Sequence, residues 1–212
     1  MKEIQRPMRK INEIFYSIQG EGCHTGVPSV FIRFSGCNLK CDFCDTPHNE
    51  GVQMTDEEIF IEVKKHDAAM IILTGGEPSL HIDEKFIEEL KKETGLPIAI
   101  ETNGTRPLPC GIDWITVSPK QGLTGHTDEK TLKEEVIRVE RADELKVVDL
   151  GQDLEPYYKL GCVTPETVFL LQPCYVPDKS VRENNTRRTI RRVLENPRWR
   201  LSLQTHRLIG VR

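Results

Sequence analysis

The 212-residue chain is 37% hydrophobic and 29% charged, a balance that supports a buried core and excludes an intrinsically disordered chain. A net charge of −4 argues against a general grip on nucleic acid, and no apolar run approaches the roughly 18 residues of a membrane span. The segment Met1 to Pro7 lacks the apolar core of a secretion signal, so a reducing cytoplasm is expected. There, seven cysteines read as metal ligands or inert core residues rather than disulfides.

Short β-rich runs that end in polar residues recur along the chain, and one domain over residues 1–212 is expected. Val30 to Phe34 leads into a cysteine loop, Met70 to Leu73 into Thr74-Gly75-Gly76-Glu77-Pro78, and Ile98 to Ile100 into Glu101-Thr102-Asn103-Gly104. Trp114 to Val117 leads into Ser118-Pro119-Lys120, Leu145 to Val148 follows, Val168 to Leu171 leads into Gln172-Pro173, and Leu201 to Leu203 into Gln204-Thr205-His206. Helical stripes lie between them. Thr55 to Glu58 is a capping box ahead of Ile59, Phe60 and Val63. Phe86, Ile87 and Leu90 form a second stripe ending near Gly95. Leu132, Val136 and Val139 suggest a third, and Ile190, Val193 and Leu194 a fourth that stops before Pro197. The basic run Arg187, Arg188, Arg191 and Arg192 on that last helix reads as a solvated face.

Strand–helix alternation of this kind implies an α/β fold with six or seven parallel strands, as a curved incomplete barrel or an open sheet. Either form puts the functional face at the carboxyl ends of the strands. Cys37, Thr74, Glu77, Glu101, Asn103, Ser118, Lys120, Gln172 and His206 are therefore expected on one rim.

Cys37, Cys41 and Cys44 are spaced C-x₃-C-x₂-C with no fourth cysteine nearby. Three thiolates on one loop can hold three irons of a 4Fe–4S cubane and leave the fourth open, where electron-transfer clusters use four cysteines. The alternative is zinc with His48 as fourth ligand, but zinc sites pair their ligands in two separated units. Phe43 between two of the cysteines would limit water access to a cluster.

The cysteine spacing with Phe43, together with Gly75-Gly76-Glu77-Pro78, resembles the signature of the radical S-adenosylmethionine (SAM) superfamily. Phe15 to Gly22, Asp45-Thr46, Ser118-Pro119-Lys120 and Leu203 to Arg207 narrow the resemblance to the 7-carboxy-7-deazaguanine synthase family, over nearly the whole chain from about Ile11. The resemblance implies a partial TIM-like barrel with outer helices, one 4Fe–4S cluster per subunit, SAM, magnesium and a cytoplasmic homodimer. It also implies an external one-electron reductant such as flavodoxin or ferredoxin. The implied reaction is radical ring contraction of 6-carboxy-5,6,7,8-tetrahydropterin with loss of ammonia, with no nucleic acid or membrane partner.

Carried over residue by residue, Cys37, Cys41 and Cys44 match the cluster ligands and the catalytic centre. Phe43, Cys44, Asp45, Gly76, Ser118, Pro119, Lys120, Gln172, Pro173, Cys174 and Tyr175 match SAM contacts. Ile18, Gln19, Gly20, Arg33 and Thr74 match substrate contacts, and Thr46 matches the magnesium ligand. Strand alternation turns Arg33 away from Val30, Ile32 and Phe34 and toward the cavity, where a guanidinium fork suits a carboxylate. A surface salt bridge is its other reading. Glu21 is expected to meet the pterin's guanidine-like edge, Glu101 and Asn103 the SAM ribose, and His206 the substrate. On residue type alone Cys23, Cys110, Cys162 and Cys174 read as packed or inert. The chain ends in Arg212, where proline is common in the family. Two other readings share the cysteine loop: a radical-SAM activase that places a glycyl radical on a partner protein, and a zinc-stabilised binding module.

Overall fold

A computed structural model of the chain describes residues 7–44, 46, 50–120 and 136–212. Nine strands form one sheet in the order β3-β1-β2-β4-β5-β6-β7-β8-β9. They are β1 (Met8–Ile18), β2 (Pro28–Phe34), β3 (Val52–Thr55), β4 (Met70–Gly75), β5 (Ile98–Thr102), β6 (Trp114–Val117), β7 (Glu144–Asp149), β8 (Val168–Pro173) and β9 (Trp199–Leu201). From β2 through β4 to β9 every neighbouring pair is parallel. These seven strands are the seven runs expected from the sequence, the last two residues earlier than expected. The sheet does not close on itself, as a partial barrel requires.

β1 and β3 were not anticipated. They pair antiparallel, β1 with β2 and β3 with β1. Arg9, Lys10 and Glu13 interrupt the apolar alternation of β1, and a register shift between Ile11 and Glu13 breaks its period. The hairpin partner, rather than local pattern, makes this segment a strand.

The expected capping box at Thr55 is present, with the Thr55 side chain accepting from the Glu58 N–H and the Glu58 carboxylate accepting from the Thr55 N–H. It opens α1 (Asp56–Lys64), which buries Ile59, Phe60 and Val63. Helix α2 (Glu84–Thr94) buries Phe86, Ile87 and Leu90 and ends on Gly95 in the left-handed conformation, as its sequence required. These faces pack on Val30, Ile32, Phe34, Ile71, Leu73, Ile98 and Ile100, which form the outward side of the strands. In the third expected stripe Leu132 lies outside the described residues. Val136 and Val139 are in irregular chain, where the Gly104 carbonyl accepts from the Arg138 and Val139 N–H groups.

The inward side follows the opposite parity. Its lower part is apolar: Phe31, Met70, Ile72 and Ala99, with the partly buried Phe15 of β1, Val27 of the β1–β2 loop and Trp114 of β6 packed against them. One pleat further along, the same strands present Arg33, Thr74 and Glu101, and Arg33 is in register with Thr74. A period of two thus carries each strand from a packed floor to a polar cavity.

Helix α3 (Lys179–Glu195) departs from its expected faces. Of the stripe Ile190, Val193 and Leu194, only Val193 packs on the core, and Leu194 is 78% exposed. What seats α3 is polar. Asp149, at the end of β7, is fully buried and accepts from the Thr189 hydroxyl (2.7 Å), the Gly151 N–H (3.0 Å) and the Arg192 guanidinium. Arg188 donates to the Asp149 carbonyl at 2.7 Å. Two members of the expected solvated basic face are therefore anchors. Burial alone would raise the Asp149 carboxyl, but Thr189, Gly151 and the two guanidiniums outweigh it and hold it below the usual carboxylate range.

Removing that carboxylate leaves the Arg192 charge uncompensated. Asp149→Ala is expected to destabilise the fold by about 3 kcal/mol or more, which for a chain this long lowers Tm by roughly 6–12 °C. Arg187→Ala, on the exposed side of the same helix, is expected to change stability by less than about 0.5 kcal/mol. Thermal unfolding followed by circular dichroism checks both.

Candidate active site

The cysteine loop leaves β2 where backbone meets backbone. The Gly76 N–H donates to the Phe34 carbonyl at 3.1 Å and the Glu77 N–H to the Gly36 carbonyl at 2.9 Å. A Cβ on Gly76 would stand 2.0 Å from the Gly36 oxygen, and one on Gly75, whose φ is +127°, 2.2 Å from the Phe34 oxygen. The glycine pair is thus required for the cysteine loop to dock against β4, in addition to any approach it allows to a ligand. Glu77 turns away from the rim on which it was expected and is completely buried. Its carboxylate accepts from the Thr102 hydroxyl (2.7 Å), the Asn103 N–H (2.7 Å) and the Ser79 N–H (3.0 Å). The ends of β4 and β5 are joined by that carboxylate.

Cys37, Cys41 and Cys44 all line one cavity of about 340 Å³. The Cys37 sulfur accepts from the Leu39 N–H at 3.4 Å and meets the Asn103 amide at 3.9 Å. Asn103 also donates to Asn38 (3.0 Å), whose amide donates to Thr105 (2.9 Å). Burial pushes the Cys37 thiol up, with the Glu77 charge adding to it. Phe43 lies on the same wall with the Lys120 ammonium 5.7 Å from its ring centre, and Lys120 donates to Ser118 at 2.6 Å. Gly76, Gln172, Pro173, Cys174 and Tyr175 continue the wall, and Thr46 is on it as well. Pro119, between Ser118 and Lys120, does not reach the cavity, and Asp45 and His48 lie outside the described residues.

The opposite wall is built by the β1–β2 loop, which folds under the barrel. Ile18, Gln19, Gly20 and Glu21 line the cavity, as do Arg33 and Thr74. Arg33 satisfies both of its sequence readings: it faces the cavity and also pairs with Glu13 at 2.8 Å. His206 lies in the first turn of a short helix, α4 (Thr205–Ile209), rather than at the end of a strand. That turn sits on Gly20, where a Cβ would come 2.1 Å from the His206 ring, and Thr205 donates through its N–H to the Gly20 carbonyl at 2.9 Å. Tyr175 is flanked by the guanidiniums of Arg207 (3.9 Å) and Arg182 (5.4 Å).

The centre of this wall was missed in the sequence. Lys146 is 6% exposed, and its ammonium donates to Glu21 (2.6 Å) and Glu101 (3.1 Å). Glu101 also accepts from Gln19 (3.2 Å) and Thr74 (3.3 Å), and Glu21 from Gln204 (2.9 Å). Glu101 and Asn103, expected together at the SAM ribose, therefore occupy different surroundings, one in this network and one beside Cys37. The alternation argument applied to Arg33 would have found Lys146, since Leu145 and Val147 on either side are fully buried on the other face. Burial by itself would raise the Glu21 carboxyl, but the Lys146 ammonium, with Gln204 and Gln172, outweighs it and holds it at about 2. Burial would lower the Lys146 ammonium, and Glu101 and Glu21 raise it above the ordinary lysine range instead. Glu13, Arg207 and Arg212 also line the cavity unanticipated, Arg212 with its guanidinium on Glu13 and 5.0 Å from the Phe15 ring centre.

Residues 31–124 match the Radical SAM superfamily. The 7-carboxy-7-deazaguanine synthase of Bacteroides thetaiotaomicron is 55% identical over 205 residues, covering 97% of this chain and all of that protein. The chain belongs to the 7-carboxy-7-deazaguanine synthase family. The enzyme of that name from Haemophilus influenzae is 37% identical, with 97% of this chain and 95% of that one covered. The crystal structure of QueE from Escherichia coli is similar in fold, with a TM-score of 0.69 at 29% identity over 94% of this chain and 95% of that one.

Membership of the radical SAM superfamily implies a 4Fe–4S cluster and SAM, and the donor set suits them. Cys37, Cys41 and Cys44 line one cavity wall, and a cubane takes its ligand sulfurs on separate irons.

The contact between Gly76 and Gly36 gives a test that does not depend on turnover. Gly76→Ala must move backbone, and is expected to destabilise the protein by about 1–3 kcal/mol. Iron and sulfide retained after anaerobic reconstitution should fall well below the wild-type content. Elemental analysis and visible absorbance check this; wild-type iron content in the variant would mean the loop tolerates the shift.

Proposed function

We propose that this chain is itself a 7-carboxy-7-deazaguanine synthase, a radical SAM lyase that converts 6-carboxy-5,6,7,8-tetrahydropterin to 7-carboxy-7-deazaguanine with loss of ammonia. The observation that carries the reading is one cavity with three thiols on one wall and a pterin-sized set of polar groups on the other, in a chain 55% identical end to end to an enzyme of that name. A volume of about 340 Å³ suits small ligands.

In this reading Cys37, Cys41 and Cys44 each ligate one iron. Phe43, Asp45, Gly76, Ser118, Lys120 and the segment from Gln172 to Tyr175 hold SAM. Ile18, Gln19, Gly20, Arg33 and Thr74 hold the substrate. Thr46 would offer a neutral hydroxyl oxygen to magnesium, which prefers oxygen donors and would help orient the substrate. When bound, the cluster and SAM would supply one-electron, hydrogen-abstracting chemistry next to the substrate. The protein's share is positioning and shielding. Arg33, steadied by Glu13 and set 5.7 Å from the Phe15 ring centre, offers donors to the substrate carboxylate. Phe43 and the apolar floor keep water and solvent hydrogen donors from a primary carbon radical. No helix among the described residues is long and apolar enough to cross a membrane. The working form is a cytoplasmic homodimer fed by a small external one-electron donor.

The reading is tested by anaerobic reconstitution with iron and sulfide, then reaction with SAM, dithionite, magnesium and the carboxypterin. The expected product has the mass of 7-carboxy-7-deazaguanine. Zinc without iron, or SAM cleavage without that product, would overturn the assignment. Cys41→Ala should keep its circular dichroism spectrum yet lose SAM cleavage. Arg33→Lys removes the fork and is expected to lower kcat/KM about 10- to 100-fold, since a charge-assisted hydrogen bond contributes about 1.5–3 kcal/mol. Chelation followed by added magnesium should restore turnover in the wild type and less in Thr46→Val.

A further inference from the structure

Lys146 has no role in the chemistry described so far, although it is a buried ammonium on the cavity wall. It bridges two parts of the molecule far apart in sequence. Glu21 belongs to the loop under the barrel and Glu101 to β5, and the ammonium reaches them at 2.6 and 3.1 Å. Glu144, on its own strand, is 2% exposed and occupied below by the Cys23 N–H (2.8 Å) and the Thr116 hydroxyl (3.0 Å). The other charged groups facing the cavity are Arg33 of β2 with Glu13 of β1, Lys120 after β6, His206 and Arg207 of α4, and Arg212. Lys146 is thus the cation that sits between the two floor carboxylates. Two carboxylates and one ammonium leave the trio with a net charge of −1.

We infer that Lys146 is a positioning residue: it clamps the floor loop to the barrel wall through Glu21 and Glu101. It thereby keeps the floor a rigid acceptor edge for the N–H donors of a 2-amino-4-oxopterin ring. The inference rests on the pterin reading above and adds to it the residue that sets the floor's charge. A carboxylate has about four lone-pair sites, so Glu21 and Glu101 retain acceptor capacity after binding the ammonium and the surrounding amides and hydroxyl. Without Lys146 two half-buried carboxylates would share the site without a cation, and their repulsion would favour protonation of one of them. A protonated member would turn a donor toward the ligand's donors.

The experiment uses cluster-loaded protein with SAM and measures binding of 6-carboxypterin by its fluorescence from pH 5 to 8, alongside kcat/KM for the tetrahydro substrate. In the wild type Glu21 stays ionised from about 2 upward, so neither quantity should show an ionisation from Glu21. Lys146→Met should weaken pterin binding about 10- to 100-fold, the range for breaking a buried charge pair. It should also gain a new ionisation, with affinity rising as pH rises. Glu21→Gln/Lys146→Met removes the second carboxylate, and should lose that ionisation while binding remains weaker than wild type. Wild-type affinity in Lys146→Met, or a uniform drop with the wild-type pH profile, would overturn the inference. If Lys146→Met does not fold, the double variant decides: wild-type affinity there would overturn it. A wild-type protein that neither binds nor converts the carboxypterin would instead sink the function reading.

Discussion

Glu77 has no contact with solvent, yet its carboxylate is surrounded by the Thr102 hydroxyl and the N–H groups of Ser79 and Asn103. A charge in that position is tolerated only because donors replace the water it lost. Two of those donors, Thr102 and Asn103, come from the end of β5, so the carboxylate joins the ends of β4 and β5. Immediately before it, Gly75 and Gly76 let β4 meet the backbone at Phe34 and Gly36. The cysteine loop therefore starts from a point fixed on two sides. Asn103, whose N–H is held by Glu77, reaches the Cys37 sulfur. This knot fixes where the first thiol stands, and the loop adds the Leu39 N–H on the Cys37 sulfur and a turn between Cys41 and Cys44.

Much of this was readable from residue pattern, and the parts that were not share a cause. The seven parallel strands announce themselves because both faces of a covered parallel sheet favour apolar runs. Helices α1 and α2 carry caps and stripes that need no tertiary information. β1 was hidden because its partner decides its conformation: Arg9 is buried against Asp56 and Phe86, and Glu13 lies beside Arg33, so charged residues that read as exposed loop are interior. The α3 stripe was misread for the same reason. Ile190 and Leu194 look like a core face, but buried Asp149 gives Arg188, Arg192 and Thr189 the inward position. Long-range ion pairs leave no periodic trace.

The site shows the same division. Residues carried by short motifs, the cysteines with Phe43, Gly76, Gln19 and Arg33, were legible and meet on one cavity. Lys146, Glu13, Gln204 and Arg207 were not, since each acts through a partner more than a dozen residues away or through a neighbouring element. Asp45 and His48 lie outside the described residues and add nothing to either side. Glu77 belonged to a legible motif, but its type suggested the rim where its hydrogen bonds make it a fastener.

The distribution of charge in the cavity bears on how a substrate with unlike ends would lie. The floor trio of Glu21, Glu101 and Lys146 carries one net negative charge, while Arg33, Lys120, Arg207 and Arg212 contribute cations to the surrounding walls. A ring with N–H donors along one edge and a carboxylate at the other is favoured in one orientation and opposed in the reverse, because reversal faces anion with anion at the floor. Partly buried charges are screened less than surface ones, so such a difference is larger here than at a surface. Orientation is what radical abstraction needs most: the reagent is unselective, so the carbon it attacks must be the one held nearest the thiol-lined wall. The apolar layer of Phe31, Ile72 and Ala99 beneath the floor gives this arrangement a base without polar groups.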